Sequence, residues 1–236
     1  VSHISATFWP VAAIIEKISG QDLSEFLRTR IAEPLGLPDL RLGLPPSGND
    51  QVADLVWVGE ALTAEDYEKL GMKGFGATTN AINEEGVLEL NETVTRQAAS
   101  PSAGCITTAG DIAQFYQALL NDGRAHDGAQ VWQSEMLREA RRVRTGDLRD
   151  QFLGHRAHRA LGIAVAGGDG KANMRGFGRT NSAEAFGHPG FGGQSGWADP
   201  ATGISFGYLT NGFDRNDLRE GRRRVALSSL AASCVA

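Results

Sequence analysis

The sequence has few cysteines and lacks a long hydrophobic run. Its two cysteines, Cys105 and Cys234, are too few for a disulfide framework, and neither belongs to a Cys-x-x-Cys pair. No apolar stretch approaches the roughly 20 residues that a membrane-spanning helix needs. The composition therefore predicts neither a disulfide-stabilised scaffold nor a membrane-spanning segment.

An excess of positive charge is also missing. The chain has 23 Lys and Arg residues against 28 Asp and Glu residues, which gives a net charge of −5 with the histidines neutral. Nucleic-acid binding requires a concentrated basic surface at the phosphates, so the mild acidity argues against a nucleic-acid partner. The basic cluster at residues 219–224 is interleaved with acidic side chains, which predicts a solvated helix face.

Low-complexity tracts are absent, and the overall composition is that of a globular protein. Hydrophobic residues make up 41% of the chain and charged residues 22%. A length of 236 residues suits one large domain, or a domain with a sub-domain.

Apolar periodicity predicts a helical hairpin near the start of the chain. Residues 9–19 carry apolar side chains at three- and four-residue spacing, and Gly20 is a natural C-cap. A second helix is predicted from Asp22 or Ser24 through Ile31, where a proline and a glycine soon follow.

Further helices are predicted at 63–72, from Thr107 or Thr108 to Leu120, at 134–143 and at 218–232. The rest of the range 38–102 is expected to be irregular and to cover a cleft.

Strands are predicted in the last third of the chain. Residues 161–165 form a short apolar run, and residues 195–199 and 204–211 flank an Asp-Pro-Ala-Thr-Gly turn, which predicts a β-hairpin. Strands closed by a terminal helix indicate an antiparallel sheet flanked by helices, an α+β arrangement.

Three patches share the order and spacing of one known family. They are SHISATFWPVAAIIEKISGQDLSEFLRTRIAEPLGL at 2–37, SAGCITTAGDIAQFYQALLNDG at 102–123 and FGHPGFGGQSGWADPATGISFGYLTN at 186–211. Together they resemble serine hydrolases of the β-lactamase and penicillin-binding-protein superfamily, and the third patch is the most specific.

The resemblance implies the β-lactamase/transpeptidase-like fold. Residues 1–236 would form the C-terminal portion of one catalytic domain. Residues up to about 145 would be mostly helical or irregular and would include part of an all-helical domain. Residues from about 146 would supply the sheet strands and the closing helix. The substrate cleft would lie between these two parts.

The family's nucleophile motif is missing. Acyl transfer in this family uses a serine on a Ser-x-x-Lys helix. The residues three positions before the four lysines are Ile14, Asp66, Leu70 and Gly168, so the chain contains no such motif. In the family that motif lies upstream of the first patch. The chain is therefore expected to be a fragment that does not catalyse the reaction alone.

The first patch suggests one catalytic and one binding residue. The resemblance places His3 at the tyrosine of the family's Tyr-x-Asn motif and Ser5 at its asparagine. A shift of one residue would place Ser2, instead of His3, at the tyrosine position. An imidazole titrates near neutral pH, so His3 could act as a general base or relay a proton. The alternative is that His3 only packs or hydrogen-bonds at a helix start.

The third patch suggests the remaining site residues. His188-Pro189-Gly190 matches the family's Lys-Thr-Gly strand in its His-x-Gly form. By analogy, the backbone N–H of Phe191 would be an oxyanion donor, and Gly190 and Gly192 would let substrate lie against the strand. The alternative is a strand with a histidine beside a turn. Histidine in place of lysine favours the esterase-like members over those that recognise penicillins.

The predicted function is hydrolysis of a small-molecule ester or amide through an acyl-serine. No metal or organic cofactor is implied, and His155-x-x-His158 lacks a third ligand at convincing spacing. One alternative is a non-catalytic binding protein, or pseudoenzyme, that keeps the cleft. Another is a truncated product that does not fold stably, since the sheet would have an unpaired edge and an exposed core face.

Overall fold

The computed structural model describes residues 6–71, 84–150 and 154–235. The helices there are α1 (Phe8–Ser19), α2 (Leu23–Leu27), α3 (Glu33–Leu35), α4 (Ala64–Lys69), α5 (Glu84–Leu88), α6 (Thr93–Gln97), α7 (Ala109–Leu120), α8 (Ser134–Arg141) and α9 (Asp217–Ala232). The strands are β1 (Arg41–Leu42), β2 (Val56–Val58), β3 (Cys105–Ile106), β4 (Ala164–Val165), β5 (Phe186–Pro189), β6 (Ser195–Asp199), β7 (Ile204–Tyr208) and β8 (Gly212–Asp214).

The predicted helical hairpin is confirmed. Helix α1 ends at Gly20, which adopts a left-handed conformation with φ 71° and donates its N–H to the carbonyl of Glu16. The Asp22 side chain then caps α2 by accepting a hydrogen bond from the N–H of Glu25. A π-helical turn joins α2 to α3, so the second helix runs further than predicted.

The main sheet is antiparallel, with the strand order β4-β5-β6-β7. The predicted hairpin is the β6–β7 pair. Asp199 at its turn is fully buried. Its carboxylate accepts hydrogen bonds from the backbone N–H and hydroxyl of Ser182 and from the N–H of Ala201, which ties the preceding loop to the turn.

Helix α7 lies directly on the backbone of β6 and β7. Gly196 and Gly207 are paired across these strands and face the helix. A Cβ atom at Gly207 would lie 2.2 Å from the carbonyl oxygen of Ala109, and one at Gly196 would lie 2.4 Å from the ring of Tyr116. The close approach of helix and sheet therefore depends on this glycine pair.

Helix α9 covers the other face of the sheet. Trp197 is almost completely buried, and its indole N–H donates to the buried hydroxyl of Ser228 at 3.1 Å. Phe177 and Ala232 complete this apolar layer beside the small residues of the β4 region. A polar group that is buried without a partner is costly, so the Trp197–Ser228 bond sets the position of α9.

The range 38–102 has more regular structure than predicted. Strand β2 pairs in parallel with β8, and β1 pairs with β3. The side chain of Asn91 hydrogen-bonds the backbone N–H and carbonyl of Leu55, and buried Arg96 forms an ion pair with Asp54 at 2.7 Å. The expectation of irregular structure was wrong for these segments because their partners lie far away in the chain.

The basic cluster at 219–224 is only partly solvated. Arg219 and Arg222 are exposed, but the side chains of Arg224 and Glu220 are 20% and 15% exposed and form an ion pair at 2.9 Å. The prediction of a solvated face was wrong for these two residues because their opposite charges allow them to pack toward the sheet.

Apolar surface is exposed on α1, and the sheet has an open edge. Trp9, Val11, Ile14 and Ile18 are each about half exposed or more. No strand among the described residues pairs with the outer edge of β7. The open edge of β7 is the unpaired sheet edge that the sequence led us to expect.

In the described ranges, no helix has both the length and the apolar character needed to cross a membrane.

We expect Gly207→Ala to lower the free energy of unfolding by about 1–3 kcal/mol, because the new methyl group must displace α7 from the sheet. Gly221→Ala in α9 is the matched control. Its methyl group would meet no atom within 4 Å, so stability should be unchanged or rise by up to about 1 kcal/mol. Urea unfolding followed by tryptophan fluorescence measures both changes. Equal stability of the two variants would contradict the close packing.

Candidate active site at the end of strand β5

The His188-Pro189-Gly190 segment begins where β5 stops pairing with β4. Phe186 and Gly187 pair with β4 on one side and with β6 on the other. His188 and Pro189 pair with β6 but have no strand partner on the β4 side within the described chain. An extended substrate could therefore lie against the second half of β5, as the resemblance implies.

Gly190 continues the strand into a tight turn. Its N–H donates to the carbonyl of Gln194 at 2.8 Å, and a Cβ atom at Gly190 would lie 2.7 Å from the Cβ of Gln194. The Gln194 amide in turn hydrogen-bonds the backbone N–H and carbonyl of Thr210, both at 2.8 Å. Contacts within the protein thus require glycine at 190, whether or not substrate also approaches there.

Phe191 opens the turn that follows. Its backbone N–H forms no hydrogen bond with any residue that the structure describes. An unpaired N–H at the end of the free strand segment is what an oxyanion donor requires. The catalytic role of Phe191 stays a prediction, and the geometry leaves its N–H available for that role.

Gly192 forms the bend that follows Phe191. It has φ 75° and ψ 13°, a left-handed conformation that favours glycine. A Cβ atom there would also lie 2.4 Å from the ring of Phe213. The turn is therefore held by its conformation and by the aromatic ring beneath it. Substrate contact by Gly190 and Gly192 stays a prediction.

An aromatic row that the sequence analysis missed supports this turn. The ring of Phe191 packs edge-on against Phe213 at 5.5 Å, and Phe213 packs edge-on against Trp57 at 5.8 Å. The guanidinium of Arg215 lies 5.9 Å from the Trp57 ring and pairs with the carboxylate of Glu84. The parallel pairing of β2 with β8 brings this row together, and no local pattern signals it.

His188 is accessible to solvent, yet its environment favours the neutral imidazole. Surrounding protein partly removes water from the ring, and this desolvation lowers the pKa of His188. The positive charge of Arg159 lowers the pKa further, although a backbone interaction with Pro189 opposes the shift. No pattern in the sequence indicates this electrostatic effect of Arg159. The residue that the resemblance places at the family's lysine is thus a histidine whose pKa lies below its ordinary value.

The other predicted site residues cannot be placed. His3, Ser5 and the alternative Ser2 lie outside the described residues. Their roles stay predictions.

His155 and Asp111 make contacts within the protein. The Nδ1 atom of His155 lies 2.9 Å from the carbonyl oxygen of Arg156. In the described ranges, no three His, Cys, Asp or Glu side chains are grouped so that they could hold a metal ion. Asp111 is buried in the first turn of α7, where its carboxylate accepts a hydrogen bond from the N–H of Asp39.

Comparisons with known proteins identify the family of the chain. A family model described as beta-lactamase matches residues 5–231. The esterase/beta-lactamase LipL of Mycobacterium tuberculosis is 26% identical over 215 residues, which are 89% of this chain and 47% of LipL. The chain thus spans about half the length of the curated relative it matches.

Solved structures show the same fold. A penicillin-binding-protein homolog from Caulobacter crescentus is 26% identical, with a TM-score of 0.69 over 94% of this chain and 56% of its own. EstA from Arthrobacter nitroguajacolicus Rue61a is 21% identical, with a TM-score of 0.70 over 100% of this chain and 61% of its own. A family VIII carboxylesterase is 23% identical, with a TM-score of 0.68 over 93% and 55% of the two chains. The predicted fold class is confirmed.

We expect NMR titration of the His188 imidazole to give a midpoint below its ordinary value of 6.5. Arg159→Gln should raise this midpoint, because it removes a positive charge that disfavours protonation. It should not restore 6.5, because desolvation is the larger cause. Arg124→Gln removes an exposed guanidinium that does not perturb His188 and should leave the midpoint unchanged. A wild-type midpoint at or above 6.5 would contradict the assigned environment.

Proposed function

Because the chain belongs to the beta-lactamase family, we propose that it is part of a serine hydrolase that cleaves a small-molecule ester or amide through an acyl-serine intermediate. The observation that carries the proposal is that, among the described residues, the second half of β5 has no strand partner on one side and the N–H of Phe191, which follows the His-Pro-Gly segment, has no hydrogen-bond partner. A carbonyl group bound along this edge would direct its oxygen to that N–H.

The turn supplies what an oxyanion donor needs. Donors aimed in advance at a developing negative charge lower the barrier without reorganising during the reaction. Gly192 and Phe213 hold the turn from below, and the Gln194–Thr210 hydrogen bonds hold its far end. The direction of the Phe191 N–H is therefore set before substrate arrives.

The neutral state of His188 supports the esterase-like branch. A lysine at this position carries a permanent positive charge that suits a substrate carboxylate. Because its pKa is lowered, His188 does not carry such a charge near neutral pH. Its imidazole can instead donate or accept a hydrogen bond, or transfer a proton. His3 is proposed as the second histidine of the site, in the place of the family's tyrosine.

We further propose that the serine nucleophile lies outside these 236 residues. The chain contains no Ser-x-x-Lys, and it spans 47% of LipL. The missing motif also supports the second candidate function, a non-catalytic binding protein that keeps the cleft.

Fluorophosphonate labelling of the product of the complete open reading frame separates the two candidates. We expect one serine to be labelled, and peptide mapping should place it in a Ser-x-x-Lys sequence. His188→Ala and His3→Ala should slow the labelling, because each removes a proposed proton-handling group. Arg124→Gln provides the control. A folded product that resists labelling, or a reading frame without Ser-x-x-Lys, would refute the hydrolase and favour the binding protein.

A further inference from the structure

The Phe191 ring is unusual because it is exposed and at the same time firmly held. The side chain of Phe191 is 51% exposed. Its edge-on contact with Phe213 fixes one side, and Phe213 is itself almost completely buried. The row continues to Trp57, so the exposed ring stands on a packed aromatic base.

The covalent geometry places this ring next to the proposed oxyanion donor. The N–H that would bind the substrate carbonyl oxygen and the exposed ring belong to the same residue. A group attached to that carbonyl therefore lies within side-chain reach of the ring. An aromatic face that is preordered and half exposed gains free energy by covering its apolar surface and loses little side-chain entropy in doing so.

Charged side chains near the turn are occupied by other contacts. Glu220 and Arg224 pair with each other behind it, and Arg215 pairs with Glu84 at the far end of the aromatic row. Arg223 lies 3.8 Å from the carboxylate of Asp214, and its Nη2 atom, which has no hydrogen-bond partner among the described residues, is buried. The side chain that the turn exposes to solvent is thus the Phe191 ring, which is apolar.

We propose that Phe191 determines substrate specificity by contacting an apolar group, an alkyl chain or an aryl ring, attached to the reacting carbonyl. The proposal rests on the site proposed above and adds the class of substrate, an ester or amide of an apolar acid. Phe191 then has two functions, because its backbone binds the carbonyl oxygen and its ring selects the acyl group.

A binding experiment tests the subsite without requiring catalysis. Acetamide and hexanamide present the same carbonyl with different apolar groups and are titrated by NMR into the product of the complete open reading frame. We expect hexanamide to bind on the order of tenfold more tightly, since a fully buried methylene contributes about fourfold and the ring covers only part of the chain. Phe191→Ala should remove most of that difference, and Phe191→Leu should keep part of it.

Leu230→Ala is the matched control, because it removes another exposed apolar side chain, from helix α9. It should leave the preference for hexanamide unchanged. Equal binding of the two amides by wild-type protein, or an undiminished preference in Phe191→Ala, would overturn the proposal. If Phe191→Ala does not fold, the comparison of Phe191→Leu with wild type decides. An unchanged preference for hexanamide in Phe191→Leu would count against the subsite. An equal loss of affinity for acetamide and hexanamide would also count against it.

Kinetics then separates this proposal from the proposed function. With 4-nitrophenyl acetate and hexanoate, kcat/KM of wild type should favour the hexanoate, and Phe191→Ala should lower the hexanoate value about tenfold more than the acetate value. A ring that only supports the turn would lower both values equally, which would refute the subsite. Selective hexanamide binding without hydrolysis of either ester would refute the hydrolase and keep the apolar subsite.

Discussion

The close packing of α7 against the sheet is the constraint on which the rest of the structure depends. The paired glycines Gly196 and Gly207 bring the helix onto the strand backbone. Tyr116 of the helix can then pack under the sheet against Phe186, the first residue of β5. The start of β5 is held by this contact and by strands on both sides, whereas its second half has no strand partner on one side in the part of the chain that the structure describes. The candidate site is therefore a free segment at the end of a firmly held strand.

The turn after β5 is enclosed by two different kinds of packing. On one side, Phe213 occupies the space that a side chain at Gly192 would need. On the other, Glu220 and Arg223 lie 3.2–3.4 Å from the place of a Cβ atom at Gly193. The terminal helix carries Glu220 and Arg223, and β8 carries the ring of Phe213. The proposed oxyanion donor is thus positioned by elements that follow it in the chain, and the proposed site depends on the complete C-terminal half of the sheet.

Much of the fold could be predicted because it follows from local rules. The helix ends at Gly20, the cap at Asp22 and the hairpin after Asp199 all depend on residues within a few positions of one another, and all were found. The predictions that were wrong concern long-range contacts. The pairing of β2 with β8 joins segments more than 150 residues apart, and no periodicity in either segment indicates it. The burial of Arg224 with Glu220 likewise depends on what α9 packs against.

The same distinction applies to the site. The family resemblance of the sequence implied that a His-Pro-Gly strand lies here, and the residues themselves showed that the segment around it is rich in glycine. The sequence also established that the chain has no Ser-x-x-Lys. Only the tertiary structure decided that Arg159 lowers the pKa of His188 and that Phe213 and Trp57 support the exposed ring of Phe191. These effects arise between groups distant in the chain, since electrostatic and packing energies depend on separation in space and leave no pattern in the order of residues.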